Sequence, residues 1–266
     1  MEVEIDLRKS VEENASEYFE KSKKAKRKLE GLLNAIKETE QRAEKMQERQ
    51  EKKKLSRKKQ FQWFHAFHWF RSSSGLLVVG GKSAKSNESL VKKHLEKGDL
   101  FLHADIQGGS ATVIKSAGKE IPRQDLREAA EFSAVHSKAW QQGLVAVDVY
   151  AVNEGQVSKK AKSGEALGTG SFMIYGKRQW FRKTPLVFAV GLLKEGQSFC
   201  IIAGPPTAVK KHCTLSFEIV RGKQKRSDAA KKLLRLFEAK SGKNAISLEE
   251  VIAALPGESL GIKERF

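Results

Sequence analysis

The chain has 266 residues, a formal net charge of +18 and a sequence pI near 9.8. Its length allows one large domain or two small ones, and its apolar fraction of 39% is ordinary for a soluble protein. A positive surplus of this size attracts polyanions, so the composition indicates nucleic acid as the main partner. The alternative is a soluble protein that carries many lysines without a polyanionic partner.

Composition also argues against several other classes of protein. The two cysteines, Cys200 and Cys213, form no CxxC pair, so a disulfide framework or a zinc finger is not supported. The first residues are not a basic stub followed by an apolar run, so a signal peptide is not predicted there. No stretch approaches the roughly 20 apolar residues that a membrane span requires. We therefore expect a cytoplasmic protein without a membrane partner.

Residues 1–60 have the pattern of one long coiled-coil helix. They contain no proline and one glycine, and a seam of positions recurs at alternating spacings of four and three residues. Its best apolar positions are Leu29, Leu32, Ile36 and Met46. About 40 residues of helix span about 60 Å, which makes a simple surface helix a poor alternative. No second heptad segment of matching length occurs here, so the partner helix is expected in another chain or outside this sequence.

Two basic clusters lie on this helix, Lys21–Lys28 and Lys52–Lys59, each with six basic residues in eight. They would suit an arm that lies along phosphates, and a solvated helix face explains them equally well.

An aromatic block follows the helix. Trp63, Phe67 and Phe70 fall at i, i+4 and i+7, which predicts that the end of the helix plants one aromatic face into a core. Exposed aromatics that stack on bases are the alternative.

From residue 72 onward, the pattern is one of short strands interrupted by a few helices, without regular βαβ alternation. Strands are predicted at about 76–79, 99–105, 110–116, 144–152, 171–176, 186–193, 198–203 and 214–220. Helices are predicted at about 87–96, 123–142 and 227–242, and a last one begins at the capping box of Ser247 and Glu250. We therefore expect an α+β fold: a long coiled-coil helix, a mostly antiparallel mixed domain and C-terminal helices.

No catalytic motif is complete. A phosphate loop is rejected, because the residues between Gly75 and Gly80 have the pattern of a strand and Gly81 spoils the spacing before Lys82. His103 and Asp105 would share one face of a strand, where such a pair could serve as a base or as metal ligands. No other spacing completes a metal site, so a structural or RNA-contacting pair is the stronger interpretation, and no cofactor is expected.

Several blocks in fixed order resemble the NFACT-R domain. They are Trp69–Lys82 with Asn87–Lys93, Gly98–Asp105, Val157–Lys159 with Gly164–Glu165, Gly170–Lys177 and Gly204–Pro206. The family is that of NEMF, caliban, bacterial RqcH and their archaeal relatives. The resemblance covers about residues 60–220, and the helix before it resembles the coiled-coil arm of the family.

This resemblance implies a non-enzymatic RNA-binding part of a ribosome-associated quality-control factor. Family members bind large ribosomal subunits stalled with peptidyl-tRNA, and some direct C-terminal tailing of the trapped peptide. The implied partners are rRNA and tRNA, ribosomal proteins, and a missing N-terminal part of the same factor, or a second copy, along the coiled coil. The implied domains are a coiled-coil helix (1–60, half of a hairpin arm), the NFACT-R domain (61–222) and a C-terminal helical extension (223–266).

The candidate RNA-binding residues are mostly basic side chains on loops and helix ends. They are Arg71, Lys82, Lys85, Asn87, Lys92, Lys93, His103, Asp105, Ser158, Lys159, Lys160, Lys162, Lys177 and Arg178. The sequence departs from the family pattern in two places. Lys82-Ser83 replaces the usual Arg-Asp, and Gln107-Gly108 replaces a frequent His-Gly. Two other functions stay open: a metal-dependent RNA hydrolase that uses His103 and Asp105, and a coiled-coil protein adaptor.

Overall fold

The computed structural model describes residues 4–56, 62–160, 167–196, 198–243 and 245–263. The chain divides into two compact units, Met1–Gln62 and Trp63–Phe266. The predicted domain boundaries at residues 60 and 222 stay predictions. Within the described ranges, the structure contains no helix that could span a bilayer.

The first unit is built on one helix, α1 (Val11–Ser56), as the heptad pattern predicted. Ser10 caps it: its hydroxyl accepts from the amide of Glu13 at 3.2 Å, and the Glu13 carboxylate accepts from the Ser10 amide at 2.8 Å. The apolar seam is solvent-exposed, with Leu29 58% and Ile36 53% exposed.

The second unit contains short helices and antiparallel strands. The helices are α2 (Ala84–His94), α3 (Arg123–Val135), α4 (Lys138–Gln142), α5 (Pro206–His212), α6 (Arg226–Ser241) and α7 (Leu248–Ala254). The strands are β1 (His68–Arg71), β2 (Leu77–Gly80), β3 (Leu100–Ala104), β4 (Thr112–Ile114), β5 (Ala146–Asn153), β6 (Val157–Ser158), β7 (Met173–Ile174), β8 (Gln179–Pro185), β9 (Phe188–Glu195), β10 (Ser198–Gly204), β11 (Leu215–Lys225) and β12 (Ser259–Lys263).

These strands form a six-stranded sheet in the order β1-β2-β4-β3-β5-β8, a four-stranded sheet in the order β10-β9-β11-β12, and the β6-β7 pair. Every pairing among the described residues is antiparallel, so the predicted α+β class is confirmed.

The six-stranded sheet separates two apolar clusters, because alternate residues of a strand point to opposite faces. Leu102 lies in the larger cluster, where α3 packs between this sheet and the four-stranded sheet. Its neighbour Phe101 lies in the smaller cluster, together with Leu90 of α2 and Tyr150 of β5. The candidate site lies on this second face.

The aromatic block is not a helical stripe, and that prediction was wrong. Trp63–Ala66 is a single 3₁₀ turn, and β1 follows directly. Strand alternation then sends Phe70 into the larger cluster, whereas Phe64 and Phe67 fill the smaller one. A core anchor was correctly expected, but through a turn and a strand.

Other boundaries also differ from the predictions. The predicted helix 123–142 is broken, because the Ser137 hydroxyl accepts from the amide of Ala139 at 3.2 Å and starts α4. The edge strand β8, the short strand β6 and helix α5 had no predicted counterpart. The C-terminal tail is not purely helical, since β12 pairs with β11. The capping box of Ser247 and Glu250 is present as predicted.

Two buried carboxylates on α3 hold the Ser72–Gly75 turn between β1 and β2. Asp125 accepts from the hydroxyls of Ser72 and Ser74, and Glu128 accepts from the amide of Ser73 at 2.8 Å. Neither carboxylate forms an ion pair within the described ranges. The hydrogen bonds from these hydroxyls and amides therefore offset the free-energy cost of burying the two carboxylates. Burial raises the pKa of nearby Glu131 to about 7, and the charge of Glu128 adds to the rise.

Candidate nucleic-acid interface

A cleft of about 460 Å³ opens where the first turn of α2 meets two glycine-containing loops. Residues 106–110 form one loop and residues 169–172 the other. Rings of Phe101, His103 and Tyr150 line its floor. Three of the predicted RNA-binding residues, Lys82, Asn87 and His103, line this single cleft.

The first turn of α2 presents backbone amides and cations at the rim of the cleft. Ser83 is the N-cap, and its hydroxyl accepts from the amide of Ser86 at 3.3 Å. Serine and aspartate are both good N-caps, so the departure from the family's acid keeps the local fold. Lys82 and Lys85 are exposed. Burial of part of the Lys82 side chain lowers the pKa of its ammonium group.

Asn87 has a structural role that the sequence did not show. It was predicted to open the helix, but it lies inside α2, only 8% exposed, and its carboxamide oxygen accepts from the amide of Ala111 at 3.3 Å. A Cβ on Gly81 would stand 1.9 Å from that oxygen, so only glycine fits there. This packing fixes α2 against the loop before β4.

His103 packs into the floor of the cleft. Burial lowers the pKa of its imidazole, and ring hydrogen bonds with the backbone of Ala104 and Gly109 oppose that shift. A Cβ on Gly109 would stand 2.7 Å from the ring. Asp105 is exposed at the end of β3, and its charge has a smaller effect on the imidazole pKa than these backbone contacts.

The described residues contain no group of three or more His, Cys, Asp or Glu side chains that could hold a metal ion. The geometry around His103 therefore gives the hydrolase alternative no further support.

Two predicted RNA-contacting lysines are already paired with an acid. Glu88 of α2 lies 2.8 Å from Lys92 Nζ and 3.2 Å from Lys159 Nζ, and it accepts from the amide of Gly170 at 3.3 Å. These bonds, first the one from Lys92, lower the pKa of Glu88 to about 2. The Lys159 ammonium also lies 5.5 Å from the ring centre of Phe172, which lines the cleft.

Beside the cleft, an arginine and aromatic ladder lies along the β5–β8 edge of the sheet. We use this name for Tyr150, Arg178, Trp180 and Arg182. The Arg178 guanidinium lies 4.6 Å from the Tyr150 ring centre, and the Arg182 guanidinium lies 4.0 Å from that of Trp180. Sequence reasoning singled out Arg178 and missed β8 altogether. The adjacent aromatic residues Trp180 and Phe181, of a residue type that is enriched in strands, were the signal that could have revealed it.

The remaining candidates lie around this face or apart from it. Lys93, Lys160 and Lys177 are exposed, and the Ser158 hydroxyl accepts from the amide of Lys160 at 3.0 Å. Arg71 lies at the far end of the β1–β2 hairpin, where it pairs with Leu77, whereas His68 pairs with Gly80 at the cleft end. Lys162 lies outside the described residues.

Known proteins resemble this chain over the same region. Residues 66–176 match the family model described as the NFACT protein RNA binding domain. The archaeal Rqc2 homolog aRqcH of Methanocaldococcus jannaschii is 38% identical over 183 residues, which cover 69% of this chain and 27% of that protein. The NEMF homolog of Drosophila melanogaster, a ribosome quality control complex subunit, is 35% identical over 197 residues, covering 72% of this chain and 20% of the fly protein. Human NEMF is 37% identical over 134 residues, covering 50% of this chain and 12% of its own length.

The α+β fold with its cleft and basic rim is thus an NFACT-type domain. Residues 66–176 belong to the NFACT RNA-binding domain family, and the chain is similar to members of the NEMF/RqcH family, as the ordered sequence blocks predicted. It spans between 12% and 27% of the length of these relatives.

Proposed function

We propose that this chain is an RNA-binding module of a ribosome quality-control factor and that it contacts the large ribosomal subunit and its tRNA without catalysing a reaction. The observation that carries this proposal is the cleft on an NFACT-type domain, which is lined by the exposed Lys82 and by the first turn of a helix. The names of the relatives support the quality-control role, since several are ribosome quality control complex subunits.

Exposed cations in the cleft and on the neighbouring segments supply an attraction to phosphates. Lys82, Lys85, Lys160, Lys177 and Arg178 are exposed and form no ion pair within the parts of the chain that the structure describes. The start of α2 adds a second element, because the dipole at the N-terminus of a helix favours an anion, although the capping box of Ser83 and Ser86 occupies two of its amides.

Charge reversal at the rim tests this proposal. The double variant Lys85→Glu/Lys160→Glu should weaken binding to large-subunit rRNA and reduce the slope of log affinity against log salt by about one to two. An acid in the first turn of α2 favours the helix, so misfolding would not explain the loss. Lys119→Glu is the matched control, because Lys119 is exposed beyond the end of β4 that faces away from the cleft.

Binding would be followed by fluorescence anisotropy between about 50 and 300 mM salt, and by co-sedimentation of the chain with purified large subunits. An affinity that does not change over this salt range would contradict the proposal, as would equal effects of the double variant and the control.

We further propose that the seam of α1 binds another helix, either from the missing part of the factor or from a second copy. The exposed apolar side chains Leu29, Leu32 and Ile36 support this, because a large exposed apolar stripe is usually an interaction surface. Leu29→Lys with Ile36→Lys should abolish capture of the helical partner in a pull-down and leave RNA affinity unchanged. Capture at the wild-type level would exclude the seam as the binding surface.

A further inference from the structure

Three aromatic side chains lie abreast on one face of the six-stranded sheet. His103 is paired with Tyr150 across β3 and β5, and Tyr150 with Trp180 across β5 and β8. Their ring centres are 5.9 Å and 5.6 Å apart. The sheet register therefore builds a continuous row of rings that leads from the cleft to the outer edge strand.

Two arginines cover the outer part of this row. Arg182 follows Trp180 at i+2 in β8 and therefore shares its face of the strand. Arg178 lies directly before β8, and its guanidinium is 4.6 Å from the Tyr150 ring centre and 5.9 Å from that of Trp180. The guanidinium groups lie over the Tyr150 and Trp180 rings, and the Arg182 side chain is 61% exposed. A guanidinium held on a ring by one face offers its other face to a further planar group.

Asp148 compensates the charge of Arg182, which weakens the attraction of this position for a phosphate. The Asp148 carboxylate accepts from the amide of Lys183 at 2.8 Å and lies 2.6 Å from Arg182, and these contacts lower the Asp148 pKa and keep the group anionic. Burial raises the pKa of Tyr150; the charge of Arg178 opposes this rise, and that of Asp105 adds to it, so both charged groups act on the ring. Carboxylates repel phosphate but accept hydrogen bonds from the amino groups of bases.

The cleft continues the row and has room for a base with its sugar. Phe101, Tyr150 and Phe172 supply ring walls, and about 460 Å³ lies within the range of sites for small ligands. Stacking on rings needs a base that is free of its own stack. In a duplex the faces of the bases are already stacked on one another and are not available to a protein ring.

We propose that the cleft and the ladder bind unpaired RNA nucleotides, with bases stacked on the aromatic row and its two arginines. This inference rests on the proposed RNA-binding function and names its substrate class: single-stranded or looped-out RNA rather than duplex. Cations at the rim attract the backbone, and the row of rings selects unstacked bases.

The test separates stacking from charge. Arg178→Lys/Arg182→Lys keeps both positive charges but removes the planar groups, and Trp180→Ala removes the ring below them. Each should weaken binding of a mixed single strand of about 12 nucleotides by about tenfold. The slope against salt should stay as in the wild type, because no charge is lost. Arg123→Lys/Arg235→Lys, at two exposed arginines elsewhere, should bind as the wild type does.

Anisotropy titrations would compare that single strand with a duplex of equal length, using the full chain at one salt concentration. Thermal unfolding would verify that each variant is folded. If Trp180→Ala does not fold, the Arg178→Lys/Arg182→Lys variant still tests the inference. Tighter binding of the single strand, lost in the arginine pair, is the expected result. Equal salt-dependent binding of both RNAs with no effect of the arginine pair would overturn this inference and leave RNA binding intact. Failure to bind either RNA would overturn the proposed function as well.

Discussion

The buried carboxylate of Glu128 is expected to be a main determinant of the stability of the second unit. It is 0% exposed and accepts from the amide of Ser73 at 2.8 Å and from the Thr207 hydroxyl at 2.7 Å. The Ser73 hydroxyl and, at 3.3 Å, the Gln124 amide also donate to it. A single side chain thus joins α3 to the turn after β1 and to the start of α5.

The magnitude of its effect follows from these contacts. Glu128→Gln keeps the volume of the side chain, but its NH2 group replaces one carboxylate oxygen and faces a group that donates to Glu128. One hydrogen bond is therefore lost and another is weakened. At about 1–3 kcal/mol for a buried donor left without an acceptor, we expect a loss of about 2 kcal/mol. Glu128→Ala also leaves a cavity and should cost about 4 kcal/mol.

Urea unfolding followed by far-ultraviolet circular dichroism would measure both losses. For a unit of about 200 residues, 2 kcal/mol corresponds to a decrease of about 4–8 °C in Tm. Glu120→Gln is the matched control, since Glu120 is exposed and lies just before α3. If Glu128→Gln unfolds within about 0.5 kcal/mol of the wild type, the carboxylate does not hold the turn as described here.

Three further predictions test the packing and the charges near the site. Gly81→Ala should destabilise the second unit by about 1–3 kcal/mol in urea unfolding, because its Cβ would overlap the Asn87 carboxamide, whereas Gly155→Ala, in open space, should stay near the wild type. Glu88→Gln should raise RNA affinity and steepen its salt dependence in anisotropy titrations, because it releases two lysines from their acid; weaker binding would show that Glu88 instead positions them. In the folded protein the pKa of Glu131 is about 7, against an ordinary value of 4.5. The contribution of Glu131 to stability is therefore complete below pH 4.5 and is lost as the pH rises toward 7. Glu131→Gln should accordingly be more stable than the wild type above pH 7 and equal to it at pH 4.

Local signals in the sequence predicted local structure well. The heptad spacing predicted α1, and the Ser247–Glu250 capping box predicted the start of α7, because each signal depends on neighbours within one or two helical turns. The prediction for the aromatic block was wrong because it also relied only on near neighbours in the sequence. Spacings of four and three residues at Trp63, Phe67 and Phe70 fit a helix, but Phe67 and Phe70 are buried in two separate clusters and Trp63 lies in neither.

The candidate site depended on contacts between residues far apart in sequence, and prediction there was partial. Lys82, Asn87 and His103 were selected one by one, and the structure brings them to one cleft. Their roles could not be assigned, because the buried position of Asn87 depends on Gly81 and Ala111 across the sheet. The strand β8 went unseen because an edge strand with exposed Arg182 and Lys183 lacks the apolar alternation of a buried one.

The positive charge of the sequence does not by itself locate the surface that binds RNA. Glu88 holds Lys92 and Lys159, and Asp148 holds Arg182, so part of the surplus is compensated within the fold. What distinguishes the face with the cleft is the conjunction of unpaired cations with rings that the register of β3, β5 and β8 aligns. Positive charge gives affinity for any polyanion, and this affinity falls as the salt concentration rises. A row of rings, by contrast, distinguishes one RNA structure from another. A selective RNA contact therefore requires both features on one surface, and within the described residues this face of the second unit carries them together.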